Sequence, residues 1–184
     1  MIWKMHGLTL VELLVTIAVA AILYSIAPPL LAGFLEVSRI SGAADLIVTQ
    51  LQYARTEAVQ QSTPMLVTYS MEDAVNWRMG IHDRTQCDTS LSDSAQPGAC
   101  TIPYSGGRAL TVLDGAQFHG ITASANRDAT RFDPISGTTL GTNVTISLRS
   151  PGGKEIKVIV SNVGRIRTCS PKTGVAKVTG HPPC

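Results

Sequence analysis

The sequence predicts an α+β protein, one long N-terminal α-helix packed on a small antiparallel β domain. Three observations carry that reading. From Leu8 to Leu35 nearly every residue is Leu, Val, Ile, Ala or another small residue, about the length a helix needs to cross the hydrocarbon core of a bilayer. Beyond it Val37, Ile40, Ala44, Ile47, Val48, Leu51, Ala54 and Ala58 recur at three- and four-residue steps, the spacing of a helix with one face for a core. After Pro64 that period is lost and short strand-like stretches alternate with turn residues.

A helix from Leu8 to about Ser62 would be roughly 80 Å long at 1.5 Å per residue. Its first half, 8–35, is apolar all round and suits the company of other membrane or filament helices. Its second half, 36–62, has a single stripe and suits its own domain, 63–184. Pro28-Pro29 and Gly33 predict a kink or loosening midway, and Thr63-Pro64 a stop. Strands are predicted at Met65 to Ser70 and Val75 to His82, joined by a turn at Glu72-Asp73, then at Ala109 to Leu113 and Gln117 to Thr122. Arg84 to Arg108 and Ser124 to Thr142 read as polar loops. Asn143 to Leu148 and Glu155 to Val163 flank Ser150-Pro151-Gly152-Gly153, the clearest hairpin signal in the chain.

Within the apolar run stands one carboxylate, Glu12. A charge at a bilayer centre costs roughly 2.5 to 3.5 kcal/mol on insertion scales, so a dedicated partner is expected. A cleaved secretory signal fits poorly, because the core is too long, Glu12 interrupts it, and Pro28-Pro29 follow Ala27 where cleavage would fall. A plain signal anchor accounts for the length and for Lys4 on the inner side, but not for Glu12. The stretch Gly7-Leu8-Thr9-Leu10-Val11-Glu12-Leu13-Leu14-Val15 resembles the leader junction of type IV pilins and pseudopilins. The resemblance implies a leader of residues 1–7, cleavage by the prepilin peptidase between Gly7 and Leu8, methylation of the Leu8 amino group, and pairing of Glu12 with the amino terminus of a neighbouring subunit. The departure is Leu8, where family members usually carry Phe.

At 184 residues the chain has room for one domain beyond the helix, and with 5% aromatics its core is expected to be aliphatic. Lys4 ahead of the apolar run predicts a single pass with the N-terminus in the cytoplasm and the C-terminal domain outside; the pilin resemblance implies the inner membrane and the periplasm. Cys87, Cys100, Cys169 and Cys184 all lie in that outer part, an even number that reads as two disulfides. Local spacing favours Cys87 with Cys100 and Cys169 with Cys184. The alternative is a zinc site of His181 with Cys169 and Cys184, although no C-x-x-C pair exists.

Chemistry for catalysis is sparse. The sequence has no phosphate-cradling glycine loop followed by Lys-Ser/Thr, no H-E-x-x-H and no G-x-S-x-G, and His82 and His119 stand alone in predicted strands. Nothing in it calls for a cofactor or a metal. Net charge is +2, but from Arg149 onward Arg149, Lys154, Lys157, Arg165, Arg167, Lys172 and Lys177 face only Glu155. Such a basic end suits a polyanion or an anionic surface, or is simply a solvated face. In Gly164-Arg165-Ile166-Arg167 an extended backbone projects both arginines to one side, about 6 to 7 Å apart, with Ile166 turned to the core. Lys157 shares their parity unless Gly164 introduces a bulge. Paired guanidinium groups suit phosphate oxygens, giving sequence-independent, salt-sensitive contact; arginines at i and i+2 also keep an edge strand from pairing.

The long helix, short strands, cysteine-bearing loop and final hairpin, together with Phe132-Asp133-Pro134 to Gly137 and Gly164-Arg165-Ile166-Arg167, resemble the GspH/FimT family of minor pilins and pseudopilins. That resemblance implies a type IV pilin-like fold and partnership with other pilin or pseudopilin subunits, in the inner membrane before assembly and in a pilus at the cell surface afterwards. In FimT-like members the C-terminal Gly-Arg-x-Arg is associated with binding DNA in natural transformation. It implies a DNA-binding role for Arg165 and Arg167, with Lys157, Lys154, Lys172 and Arg149 in support. The rivals are a purely structural minor pilin and a type II secretion pseudopilin.

Overall fold

A computed structural model of the chain describes residues 9–71 and 75–184, and for 25–30 the backbone alone. The junction at Gly7 and Leu8 and the predicted turn at Glu72-Asp73 lie outside the described residues. The chain forms two units, Met1–Glu36 and Val37–Cys184, and helix α1, Leu10–Gln60, begins in the first and ends in the second.

α1 starts where Thr9 caps it. The Thr9 hydroxyl accepts the amide of Glu12 at 3.2 Å, and Thr-x-x-Glu is the spacing of a capping box. Glu12 also stands in the first helical turn, where a carboxylate complements the helix dipole. It therefore has a local role that the sequence reading did not give it, independent of any partner subunit. The helix continues through Pro28, Pro29 and Gly33 without ending. From Leu10 to Tyr24 every side chain is exposed, apolar though most are. Among the described residues no helix is long and apolar enough to cross a membrane; the apolar run of the sequence also draws on Leu8 and 25–30, whose side chains lie outside that set.

In the second unit Ile40, Ala43, Ala44, Ile47, Leu51, Ala54 and Ala58 are fully buried, the predicted stripe with Ala43 added, and Val37 and Val48 pack at its margin. Burying each Ile or Leu contributes about 1.5–3 kcal/mol. The helix ends ahead of Pro64 as expected. Ser62 takes φ +49, its N–H returns to Val59 O at 3.3 Å, and the Thr63 N–H reaches back to Ala58 O at 3.1 Å, the bond pattern that closes many helices.

Ten strands follow among the described residues: β1 Met65–Ser70, β2 Arg78–Asp83, β3 Thr101–Tyr104, β4 Gly107–Leu110, β5 Val112–Asp114, β6 Thr122–Ala125, β7 Ala129–Phe132, β8 Val144–Arg149, β9 Glu155–Val160 and β10 Ile166–Cys169. They form an antiparallel sheet β5-β2-β1-β7, a second one β10-β9-β8-β6, and the hairpin β3-β4. The inner faces of both large sheets share one core with the stripe of α1. The β8–β9 hairpin closes at Ser150-Pro151-Gly152-Gly153, with Ser150 N to Lys154 O at 3.0 Å and Gly153 N to Ser150 O at 3.0 Å.

Several expected boundaries move. The second strand begins at Arg78 rather than Val75. The strand expected over Ala109 to Leu113 breaks at Thr111, whose hydroxyl donates to Ile81 O at 2.6 Å and passes the chain from the β3-β4 hairpin into the first sheet. The strand expected over Gln117 to Thr122 is a 3-10 turn, Gly115–Gln117, capped by the Asp114 carboxylate, and then a loop that holds His119. The loop expected over Arg84 to Arg108 contains β3 and the start of β4, and that over Ser124 to Thr142 contains β7. The core is not purely aliphatic either. Trp77 and Phe132 are among its largest buried side chains; the Trp77 indole donates to Ile121 O at 3.1 Å and stacks on Phe118 with centroids 6.1 Å apart.

Candidate nucleic-acid interface

Antiparallel pairing decides which cations share a face. In β9 Ile156, Val158 and Val160 are buried, so Glu155, Lys157 and Ile159 take the outer side. β10 pairs Arg167 with Ile159 and Cys169 with Lys157, which puts Arg167 on that outer face and makes Lys157 its diagonal neighbour, with Cα atoms roughly 7–8 Å apart. The expected parity of Lys157 with the arginines thus arises across a hairpin, not along one strand. Arg165 precedes β10 by one residue and continues the ladder, since Ser161 N donates to Arg165 O at 3.0 Å and Arg165 N donates to the Ser161 hydroxyl at 3.1 Å.

The turn between β9 and β10 is locked from two sides. The Gly164 N–H donates to Ser161 O at 2.8 Å, and Gly164 is buried at φ +75, a conformation that favours glycine. A Cβ on Gly164 would meet the Gly137 carbonyl oxygen at 2.0 Å. That carbonyl accepts the Arg55 Nε from α1 at 3.1 Å. On the other side buried Thr139 donates its N–H to Asn162 O at 2.9 Å and its hydroxyl to Ser161 O at 3.2 Å.

The loop that presents Gly137 is built by Asp133. One oxygen of its carboxylate accepts the Ser136 N–H at 2.8 Å, the Ser136 hydroxyl at 2.8 Å and the Ile135 N–H at 3.0 Å. These bonds, those from Ser136 first, hold its carboxyl below the usual carboxylate range. The two glycine-bearing stretches singled out in the sequence therefore meet in space, with Arg55 beneath them. Arg55 carried no signal of its own beyond a basic residue at the flank of the buried stripe.

The cations differ in what they are free to do. Arg165 and Arg167 are exposed, and among the described residues neither guanidinium has an ion-pair or hydrogen-bond partner. Lys157 lies 3.4 Å from Glu155 and Arg149 3.3 Å from the same carboxylate, so that acid offsets part of their charge. Lys154 stands at the opposite end of β9, where its Nζ donates to Lys177 O at 3.3 Å. Lys172 is exposed in the segment after β10. The two arginines and Lys157 share one face; Arg149 adjoins Lys157 through the Glu155 carboxylate that both contact, and Lys154 stands at the far end of β9.

The cysteines pair as Cys87–Cys100 and Cys169–Cys184, the connectivity that local spacing favours. Both cysteines of the zinc alternative are thus consumed, and His181 instead lies 3.1 Å from the Thr168 hydroxyl and 3.4 Å from that of Ser41 on α1. Among the described residues no group of three or more His, Cys, Asp or Glu side chains could hold a metal.

A family profile described as type II transport protein GspH matches residues 43–164, well over half of the chain. The chain belongs to the GspH family. A second profile, the prokaryotic N-terminal methylation motif, matches residues 4–27 of this GspH-family chain and so spans Gly7, Leu8 and Glu12. Among solved structures, the type IV minor pilin FimU of Pseudomonas aeruginosa is similar at 22% identity and TM-score 0.50, over 80% of this chain and 98% of that one. The minor pseudopilin EpsH of the Vibrio cholerae type 2 secretion system is similar at 13% identity and TM-score 0.51, over 73% of this chain and 99% of that one. At such identities the likeness establishes a pilin-like fold. No curated protein matches the chain.

Proposed function

We propose that this GspH-family protein is a minor type IV pilin that binds DNA through its phosphate backbone and serves its uptake in natural transformation. The observation that carries the reading is the pair Arg165 and Arg167: two exposed guanidinium groups on one face, without partners among the described residues, on a turn fixed at both sides. Each can place two parallel hydrogen bonds on phosphate oxygens. Lys157 stands beside them as a weaker third contact, since Glu155 shares its charge. Such contacts position a duplex without reading its sequence.

The rest of the reading concerns assembly. The prepilin peptidase removes residues 1–7 and methylates Leu8, the apolar helix from Leu8 anchors the chain in the inner membrane with its β domain in the periplasm, and Glu12 then pairs with the amino terminus of an adjoining pilin subunit. The methylation-motif match and the exposed apolar side chains from Leu10 to Tyr24 support it.

A second reading, a type II secretion pseudopilin, is favoured by a different feature. Ile135 is 89%, Leu140 62% and Val163 67% exposed, on the two loops that Thr139 ties together, and apolar side chains there suit a protein partner. Titration of a labelled duplex with the full chain in non-ionic detergent separates the two. The DNA reading expects binding that the double variant Arg165→Ala, Arg167→Ala loses by about tenfold or more; binding unaffected by that change removes the site.

A further inference from the structure

We infer that Arg55 is a positioning residue for the arginine turn, setting from α1 where Arg165 and Arg167 stand. The inference rests on the DNA-binding reading of those two arginines. Gly164 rests on the Gly137 carbonyl, and the Arg55 Nε holds that carbonyl at 3.1 Å. The stem of Arg55 also fills the space beside both glycines: a Cβ on Gly137 would lie 2.9 Å from the Arg55 Nε, and a Cβ on Gly164 3.2 Å from it. On the helix side Ala54 and Ala58 are fully buried, so the platform that bears Arg55 is fixed by the core. One charge-assisted hydrogen bond therefore joins the rigid helix to a turn whose next residue is Arg165. Placed half-buried beneath the turn rather than on its exposed face, Arg55 acts through geometry.

Two variants separate geometry from charge. In glutamine the amide nitrogen stands at the same point along the side chain as the arginine Nε, so Arg55→Gln keeps a donor for the Gly137 carbonyl and removes the charge. Arg55→Met reaches the same point with a methyl group, so it removes the charge as glutamine does and the donor as well. The full chain in non-ionic detergent is read in two ways, by amide hydrogen exchange over 161–165, where the Gly164 N–H donates to Ser161 O at 2.8 Å, and by affinity for a short labelled duplex. Arg55→Met is expected to speed exchange about tenfold and to weaken duplex binding about fivefold, while Arg55→Gln holds both within about twofold. Added to Arg165→Ala, Arg167→Ala, Arg55→Met should still speed exchange but weaken binding no further.

Unchanged exchange in Arg55→Met overturns the inference. So does an Arg55→Gln variant that fails as Arg55→Met does, which would assign the effect to charge. Should the double alanine variant bind duplex as the parent does, the DNA reading fails by itself, and the exchange comparison still decides whether Arg55 sets the turn.

Discussion

Gly164 rests against the carbonyl oxygen of Gly137 so closely that any side chain at 164 would stand 2.0 Å from it. The glycine of Gly-Arg-x-Arg is in this chain a packing requirement, and the arginines are what the packing presents. Gly164→Ala has to accommodate both φ +75 and a backbone overlap. The left-handed conformation alone costs about 1–2 kcal/mol, so a loss of at least about 2 kcal/mol is expected in denaturant unfolding. A variant as stable as the parent would show that the two backbones do not touch as described.

The C-terminal tail is fastened by Cys169–Cys184, a bridge across a sequence separation of 15. Closing a loop of that size is worth about 3 kcal/mol in the chain-entropy account. Cys184→Ser is expected to lower stability by about 2–4 kcal/mol and to expose the segment after Ser170 to limited proteolysis. His181 should then leave its place between the Thr168 and Ser41 hydroxyls, visible as a change in its imidazole resonances.

Acid should loosen the loop that carries Gly137. Asp133 titrates below the ordinary carboxylate range because Ser136 and Ile135 bond its charged form. Folding therefore favours the ionised group, and its contribution is fully present above the unfolded value of about 4 and disappears as pH falls through the lower folded value. Protection of the Gly137 amide, its exchange taken relative to the unprotected rate at the same pH, should fall over that acid range in the parent. In Asp133→Asn that protection should already be low at neutral pH and respond less to acid. A parent loop indifferent to pH between about 5 and 2 would contradict this assignment.

The fold was legible where one force dominates. The buried stripe of α1, β1, the β8–β9 hairpin and the local pairing of cysteines follow from periodicity, turn chemistry and spacing. Reading failed where a side chain overrides the pattern: Thr111 breaks a strand by bonding Ile81 O, Asp114 caps a 3-10 turn where alternation suggested a strand, and Trp77, Phe132 and Tyr69 enter a core expected to be aliphatic. At the candidate site the arginines and both glycine-bearing stretches were visible. That they meet was not, because only tertiary contact brings Arg55, Gly137 and Gly164 together. Nor could sequence tell that Glu155 draws on Arg149 and Lys157, while Arg165 and Arg167 are without partners among the described residues.

Processing has a mass signature. Protein extracted from membranes or filaments is expected to lack residues 1–7 and to carry one added methyl group on Leu8. Met1 retained on protein incorporated into filaments would contradict the assembly reading, and Glu12→Ala should reduce incorporation even where cleavage proceeds.

The most direct test of the central claim is the salt dependence of duplex binding. Each phosphate contact contributes about 0.9 to the slope of log K against log salt. With Arg165→Ala and Arg167→Ala the slope should become shallower by about 2, with affinity lost evenly across unrelated sequences. An unchanged slope and affinity in the double variant would contradict the claim that these two arginines hold the DNA backbone.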